Sequence, residues 1–142
     1  MLKPFAKLLI CSVFAQPHAE ILGAALDEMR LLAAIAHVET GTTDTARPCR
    51  KVGRAGERSA WQLSRPVWNT YSTAPFTSAS SSPRLASAVA AAHLRWLRLN
   101  LEKENLAATP YRLALAWNAG LSAVLASSYK YQTTHYAERV AN

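Results

Sequence analysis

An apolar run that ends in a glutamate constrains the fold of this chain more than any other stretch. Residues 33–41 read Ala-Ala-Ile-Ala-His-Val-Glu-Thr-Gly, and the closing glycine is typical of a helix stop. Leu32 and Ile35 precede Glu39 by seven and four residues, a spacing that places all three on one helix face. We therefore predict that Glu39 lies in the last turn of a buried helix and faces inward or into a cleft.

Two features of this position would change the acidity of Glu39. The negative end of the helix dipole and an apolar environment both disfavour the charged carboxylate, so both raise its pKa. A raised pKa suits a general acid that works near neutral pH. The alternative interpretation is a solvated glutamate at a frayed helix end.

Composition favours an all-α, mainly helical fold in a single domain. The chain has 142 residues, of which 50% are hydrophobic and only five are glycine. This length is enough to bury a core, and the scarcity of glycine suits helices better than a β-sandwich.

The charge balance favours an anionic partner. Sixteen Lys and Arg against nine Asp and Glu give a net charge of +7, which attracts nucleic acid, an anionic membrane or an anionic cell wall. No CxxC, HExxH, GxGxxG or GxxxxGK[ST] motif occurs, so we expect neither a metal site nor a phosphate-binding loop, and no cofactor. No apolar run approaches the length of a transmembrane helix.

Residues 1–19 have two interpretations. Two lysines precede the apolar residues 8–15, and a small residue, Ala19, follows, so the segment resembles a short secretory signal. The alternative is an amphipathic helix packed on a domain formed by residues 20–142. We favour export to the periplasm or cell exterior. If the segment is retained, a disulfide between Cys11 and Cys49 is one possible pairing.

Hydrophobic periodicity predicts four longer helices, over 19–40, 85–106, 110–120 and 133–140. The first would bury Ala25 and Met29 together with the residues already named. On the second, one face would be apolar and buried, formed by Leu85, Val89, Ala92, Trp96 and Leu99. His93, on that helix, is expected to be packed or solvated rather than a ligand.

The segments between these helices carry most of the remaining signals. Residues 41–60 are irregular and rich in arginine, and Glu57 within them is expected to pair with an arginine. Residues 72–83 are rich in Ser, Thr, Ala and Pro and are expected to form a mobile loop or lid. Asn118 is polar in an apolar helix and would need hydrogen-bond partners.

Three motifs in a fixed order resemble a known family. They are Val38-Glu39-Thr40-Gly41, then Ala60-Trp61-Gln62-Leu63, then Ala114-Leu115-Ala116-Trp117-Asn118-Ala119-Gly120, followed by a tyrosine-bearing C-terminal helix. This order resembles the lysozyme-like domain of soluble lytic transglycosylases and goose-type lysozymes. Those proteins have Glu-Ser-Gly, Gly-Leu-Met-Gln and Ala-Tyr-Asn-Ala-Gly at the corresponding places. The chain departs from that pattern at Ser59, Thr40 and Trp117, where the family has glycine, serine and tyrosine.

The resemblance implies a lysozyme-like domain with long loops around a substrate cleft, and roles for particular residues. Glu39 would be the catalytic acid. Thr40 would hydrogen-bond near that acid or the substrate, and Tyr136 would close the cleft near it. Three further residues would bind or support sugar, namely Gln62, Trp117 and Asn118.

The implied reaction is cleavage of the β-1,4 bond between N-acetylmuramic acid and N-acetylglucosamine in peptidoglycan. A transglycosylase needs only one carboxylate, whereas most glycosidases use two. If Glu57 faces Glu39, it would activate water instead, and the enzyme would be a hydrolase of peptidoglycan or chitin-like polymers.

A third hypothesis is a non-catalytic basic domain that binds cell wall or nucleic acid through residues 47–58. The expected partners are peptidoglycan strands and an anionic wall polymer. Nucleic acid is not favoured, because that basic segment lacks the interleaved aromatic residues of single-strand binders. Protein partners and oligomeric state are not indicated by the sequence.

Overall fold

The long amino-terminal helix α1 ends at the residues that the sequence singles out. The computed structural model describes the backbone of residues 16–142 and the side chains of residues 23–142. In it α1 spans Gln16–Thr40. Gly41 follows with φ of 76°, and its N–H donates to the carbonyl of His37 at 2.8 Å. The left-handed glycine therefore stops the helix as predicted. The expected leader lies largely outside the described residues, as does Cys11.

Six further helices follow a long irregular segment. Ser64 caps α2 (Arg65–Tyr71) by accepting from the N–H of Val67, and Pro66 occupies its first turn. Next come α3 (Ser78–Ser81), α4 (Pro83–Lys103), α5 (Pro110–Ala119), α6 (Leu121–Leu125) and α7 (Tyr131–Ala141). The described residues contain no strand, so the mainly helical fold class is confirmed. None of these helices combines the length and apolarity needed to cross a bilayer.

The core forms where α1, α4, α5 and α7 meet. Helix α5 packs on α7 over its length, α7 also contacts α1, and α4 contacts both α1 and α5. The buried side chains of largest volume come from several of these elements: Ile35, Leu63, Trp68, Val89, Leu94, Leu97, Leu101 and Leu113. The central part of α5 is buried on most sides, from Leu113 to Ala116.

The prediction of which faces are buried was wrong on two helices. On α1, Met29 is 61% exposed and Ala25 is also exposed, because the core contacts begin only at Leu31. On α4, Leu99 is 64% exposed and Trp96 is 42% exposed. The buried stripe of α4 shares Val89 with the predicted face and otherwise consists of Ala86, Ala90, Leu94, Leu97 and Leu101.

The segment 72–83 is a packed part of the fold, so the prediction of a mobile lid was wrong. Its only aromatic residue, Phe76, is 7% exposed, and Ala79 is 2% exposed. The Trp68 indole N–H donates to the carbonyl of Ala74 at 2.7 Å, and the Trp68 and Phe76 rings lie 6.2 Å apart. Helix α3 packs on α4, which fixes the segment from both ends.

Candidate active site

The carboxyl group of Glu39 lies in an open groove with a volume of about 630 Å³. The end of α1, the loop over residues 53–64, and helices α4, α5 and α6 form its walls. Three of the residues predicted to bind sugar also line it: Gln62, Trp117 and Asn118. Residues far apart in sequence therefore meet in one cleft around a single helix end.

Burial dominates the acidity of Glu39. Loss of solvent around its carboxyl group raises the pKa above the ordinary value of 4.5. The nearby Tyr136 hydroxyl and the positive charge of Lys51 act in the opposite direction, and the negative charge of Glu57 adds to the rise. The net effect is a raised pKa, which keeps more of the acid form available at neutral pH.

Tyr136 lies behind Glu39 rather than on the groove wall. Its hydroxyl is buried, faces the Glu39 carboxyl, and forms no well-aligned hydrogen bond with any described residue. Burial, together with the negative charge of Glu39, raises the pKa of Tyr136. The phenol therefore stays protonated and can donate only to Glu39, a contact that strengthens when the carboxylate is charged.

Lys51, in the loop that follows α1, binds the carboxyl-terminal end of that helix. Its Nζ donates to the backbone carbonyl of Glu39 at 2.7 Å, which satisfies one of the acceptors that a helix end leaves open. The same ammonium group lowers the pKa of the Glu39 carboxyl. Lys51 thus ties the irregular basic segment to the candidate acid.

Thr40 has a structural contact rather than a place in the groove. Its hydroxyl donates to the carbonyl of Ala36 at 2.9 Å and approaches the carbonyl of Ala60 at 3.4 Å. It is not among the residues that line the groove. The indole N–H of Trp61 adds a second tie, because it donates to the carbonyl of Leu32 at 3.0 Å. Both contacts fasten the loop to α1.

Glu57 lines the same groove as Glu39. The prediction that it pairs with an arginine was wrong, since no ion pair to Glu57 occurs in the described part of the chain. Its Oε2 instead accepts from the backbone N–H of Ala55 at 3.0 Å. The loop folds back tightly, and this holds the carboxylate on the groove wall.

Gly53 makes room for two of these side chains. A Cβ at this position would overlap Oε2 of Glu57 and would lie 2.7 Å from Oε1 of Gln62. The Gln62 amide is fixed from its other end, where Nε2 donates to the carbonyl of Ser59 at 2.9 Å. No sequence signal marks Gly53, because the need for it arises only when the loop closes.

The loop holds two residues with left-handed backbone, Ser59 at φ of 75° and Gln62 at φ of 49°. This region is unfavourable for residues other than glycine. Ser59 is fully buried, and its Oγ accepts from the N–H of Trp61 at 3.3 Å. The strained backbone turns the chain so that Gln62 faces the groove.

Three aromatic side chains form one wall of the groove: Trp117, which was predicted to bind sugar there, and His93 and Trp96, which were not. His93 stacks on Trp96 with ring centres 5.9 Å apart and planes 11° apart, and Trp117 meets His93 at 5.2 Å. Burial lowers the pKa of His93, so this ring is neutral at neutral pH. Together these rings form an aromatic cluster in a groove that also has polar groups.

Asn118 is exposed along the groove, so the expectation that it needs protein partners was wrong. It lies one residue before the end of α5, and its polar groups are available to a ligand. No group of three or more His, Cys, Asp or Glu side chains in the described residues is arranged to hold a metal ion.

Comparison with protein-family models, with curated proteins and with solved structures finds no match to this chain.

Proposed function

We propose that this protein is a peptidoglycan-cleaving enzyme of the lytic transglycosylase type, with Glu39 as its general acid and base. The observation that carries the proposal is the position of Glu39. Its half-buried carboxyl, with a raised pKa, belongs to the lining of a groove of about 630 Å³. The resemblance of three motifs to soluble lytic transglycosylases supports the same reaction.

The reaction needs one proton donor that later becomes a proton acceptor. Glu39 donates its proton to the glycosidic oxygen as the bond from that oxygen to the muramyl C1 breaks. The acetamido oxygen of the substrate assists from the opposite face. The Glu39 carboxylate then removes the proton of the 6-hydroxyl, and O6 bonds to C1. The product carries a 1,6-anhydro end, and no water is consumed.

The neighbours of Glu39 suit both halves of this cycle. Burial favours the protonated acid before bond cleavage, whereas Tyr136 and Lys51 favour the carboxylate that is left after proton transfer. These opposing effects keep the pKa of Glu39 raised without making the anion inaccessible. The balance is what one group needs in order to act as acid and then as base.

The groove walls would bind the glycan on either side of the acid. The aromatic cluster of His93, Trp96 and Trp117 offers ring faces that suit the apolar face of a pyranose ring. Gln62 and Asn118 offer amide groups for sugar hydroxyl and acetamido groups. A polymer of N-acetylated sugars therefore matches the mixture of aromatic and amide groups in this groove.

Glu57 supports a second candidate reaction, hydrolysis. Its carboxylate lines the same groove and is close enough to raise the pKa of Glu39. In a hydrolase with inversion, a second carboxylate activates the attacking water. Glu57 would fill that role, and the product would carry a hydrated reducing end.

Mass spectrometry of fragments released from purified peptidoglycan tests both reactions. The wild type should release muropeptides one water lighter than hydrolysis products, and Glu39→Gln should release none. Glu57→Gln is the matched control, because it removes a charge from the same groove. Hydrated ends that vanish in Glu57→Gln would instead establish the hydrolase. Absence of fragments from folded wild-type protein would contradict both.

The exposed basic segment and the export of the chain belong to the same proposal. A net positive protein with a groove for glycan is suited to the anionic cell wall in the periplasm or cell exterior. Salt-sensitive binding to cell walls without released fragments would favour a non-catalytic binding domain instead.

A further inference from the structure

Two arginines next to the groove share one aromatic ring. The guanidinium carbon of Arg58 lies 5.7 Å from the ring centre of Phe76, and that of Arg65 lies 4.9 Å from it. Phe76 is itself buried and packs on Trp68. This buried ring therefore contacts both guanidinium groups and restricts where they lie.

Neither arginine lines the groove, but each follows a residue that does. Arg58 directly follows Glu57, and Arg65 directly follows Ser64, and both Glu57 and Ser64 line the groove. Arg58 and Leu63 exchange two backbone hydrogen bonds of 3.0 and 2.7 Å, which fixes the loop between the two arginines.

Neither charge is neutralised by the protein. In the described part of the chain, the ion pairs involve other arginines, and no carboxylate pairs with Arg58 or Arg65. Arg58 donates one hydrogen bond, to Oγ of Ser80 at 3.4 Å, and Arg65 is exposed. Most of the guanidinium N–H donors in the pair are thus free for a ligand.

We propose that Arg58 and Arg65 bind a carboxylate of the peptide attached to the muramyl sugar of a glycan strand in the groove. This inference rests on the proposed function, and it names the part of the substrate that the protein recognises. Planar guanidinium groups suit carboxylates, which accept two parallel hydrogen bonds. While a peptide is attached, the lactyl carboxyl of the muramyl sugar is part of a neutral amide, so the peptide branch supplies the anions of an intact strand.

Binding of the inactive Glu39→Gln protein to two labelled glycans tests this assignment. One glycan retains its peptides. The other is the same preparation after an amidase has removed the peptides and the lactyl carboxylates exposed by that cleavage have been converted to neutral methylamides. At physiological salt, the peptide-bearing glycan should bind more tightly. Adding Arg58→Gln or Arg65→Gln should weaken that binding by about three- to tenfold and leave the peptide-free glycan unaffected.

Arg98→Gln is the matched control for charge. It removes one positive charge from a separate cleft where α1, α4, α5 and α7 meet, and it should bind like the parent. Arg65→Lys keeps the charge but not the planar group, so it should restore binding only in part. Circular dichroism checks that each variant is folded, and the exposed Arg65 provides the variant least able to disturb the core.

Each other outcome contradicts the assignment in a distinct way. Equal weakening for both glycans would mean that the arginines only hold the loop or attract anions generally. Tighter, pair-dependent binding of poly(glycerol phosphate) would assign the pair to phosphate. Unchanged binding in both arginine variants would show that Arg58 and Arg65 do not recognise the peptide, although the groove still binds glycan. No binding to either glycan would overturn the proposed function as well.

Discussion

Replacing Gly53 with alanine should remove activity with little loss of stability. The added Cβ would overlap Oε2 of Glu57 and press on Oε1 of Gln62. Both are the ends of flexible side chains, so they can swing away while the backbone stays in place. Gly53 itself does not have the left-handed backbone that excludes alanine, in contrast to Gly41 and Gly56.

The expected change in the free energy of unfolding of Gly53→Ala is a small difference between a lost hydrogen bond and a more restricted unfolded chain. Displacing Glu57 breaks its hydrogen bond from the Ala55 N–H, a contact that contributes about 1 kcal/mol. Alanine restricts the unfolded chain more than glycine does, which returns about 0.4–1 kcal/mol. The free energy of unfolding should therefore stay within about 1 kcal/mol of the wild type.

The activity should respond far more strongly. Misplacing groove side chains by about 1 Å lowers turnover by up to about 100-fold, so we expect a loss of about 10- to 100-fold in fragment release. If Glu57 activates water, the loss of activity in Gly53→Ala should match the loss in Glu57→Gln. If the enzyme is a transglycosylase, the loss should come mainly from the displaced Gln62. Comparison with Gln62→Ala separates these cases.

Gly23→Ala is the control, because a Cβ at this exposed helical position contacts nothing within 4 Å. It should be fully active and more stable by up to about 1 kcal/mol. The assay is fragment release from peptidoglycan, with urea unfolding in parallel. Full activity in folded Gly53→Ala, under conditions where Glu39→Gln is inactive, would refute the importance of these two side chains.

Three other changes follow from the same structure. Trp96→Ala should raise KM for glycan by about three- to tenfold. Leu99→Ala, on the exposed side of the same helix, should leave KM unchanged. Equal effects of the two variants on KM would exclude a sugar-stacking role for Trp96. The free energy of unfolding of Ser59→Gly should lie within about 1 kcal/mol of the wild-type value, because relief of left-handed strain offsets a lost hydrogen bond. Ser59→Val should be clearly less stable in urea unfolding. Equal stability of these two variants would refute the strain at residue 59. Glu39→Gln should be more stable than the wild type at neutral pH, because burial raises the pKa of Glu39 and the charged form opposes folding. That gain should fade as the pH falls below 4.5, where the wild-type carboxyl is protonated in both the folded and the unfolded state. Thermal unfolding of both proteins at neutral pH and below pH 4.5 measures the gain. A gain that is independent of pH would contradict the raised pKa as its cause.

Local rules predicted the ends of helices well. Gly41 stops α1, and α5 begins at Pro110, in agreement with the sequence prediction. These outcomes depend on backbone preferences of a few neighbouring residues, which a sequence displays directly. The position of Glu39 in the last turn of α1 follows from the same kind of signal.

Faces of alanine-rich helices were harder to predict. On α4, two stripes at helical spacing compete, and the larger residues Trp96 and Leu99 favoured the wrong one. The observed core stripe instead uses Ala86 and Ala90, which allow neighbouring elements to approach closely. Alanine suits both core and surface, so the choice depends on which partner helices pack there, and the sequence of α4 alone does not contain that information.

The error on α4 bears directly on function. Trp96 is exposed because the core excludes it, and it therefore completes the aromatic wall of the groove with His93 and Trp117. A large aromatic residue on the polar side of a helix has a free-energy cost in water unless a ligand covers it. The same exposure that made Trp96 misleading as a core residue thus favours its role in binding a sugar ring beside Glu39.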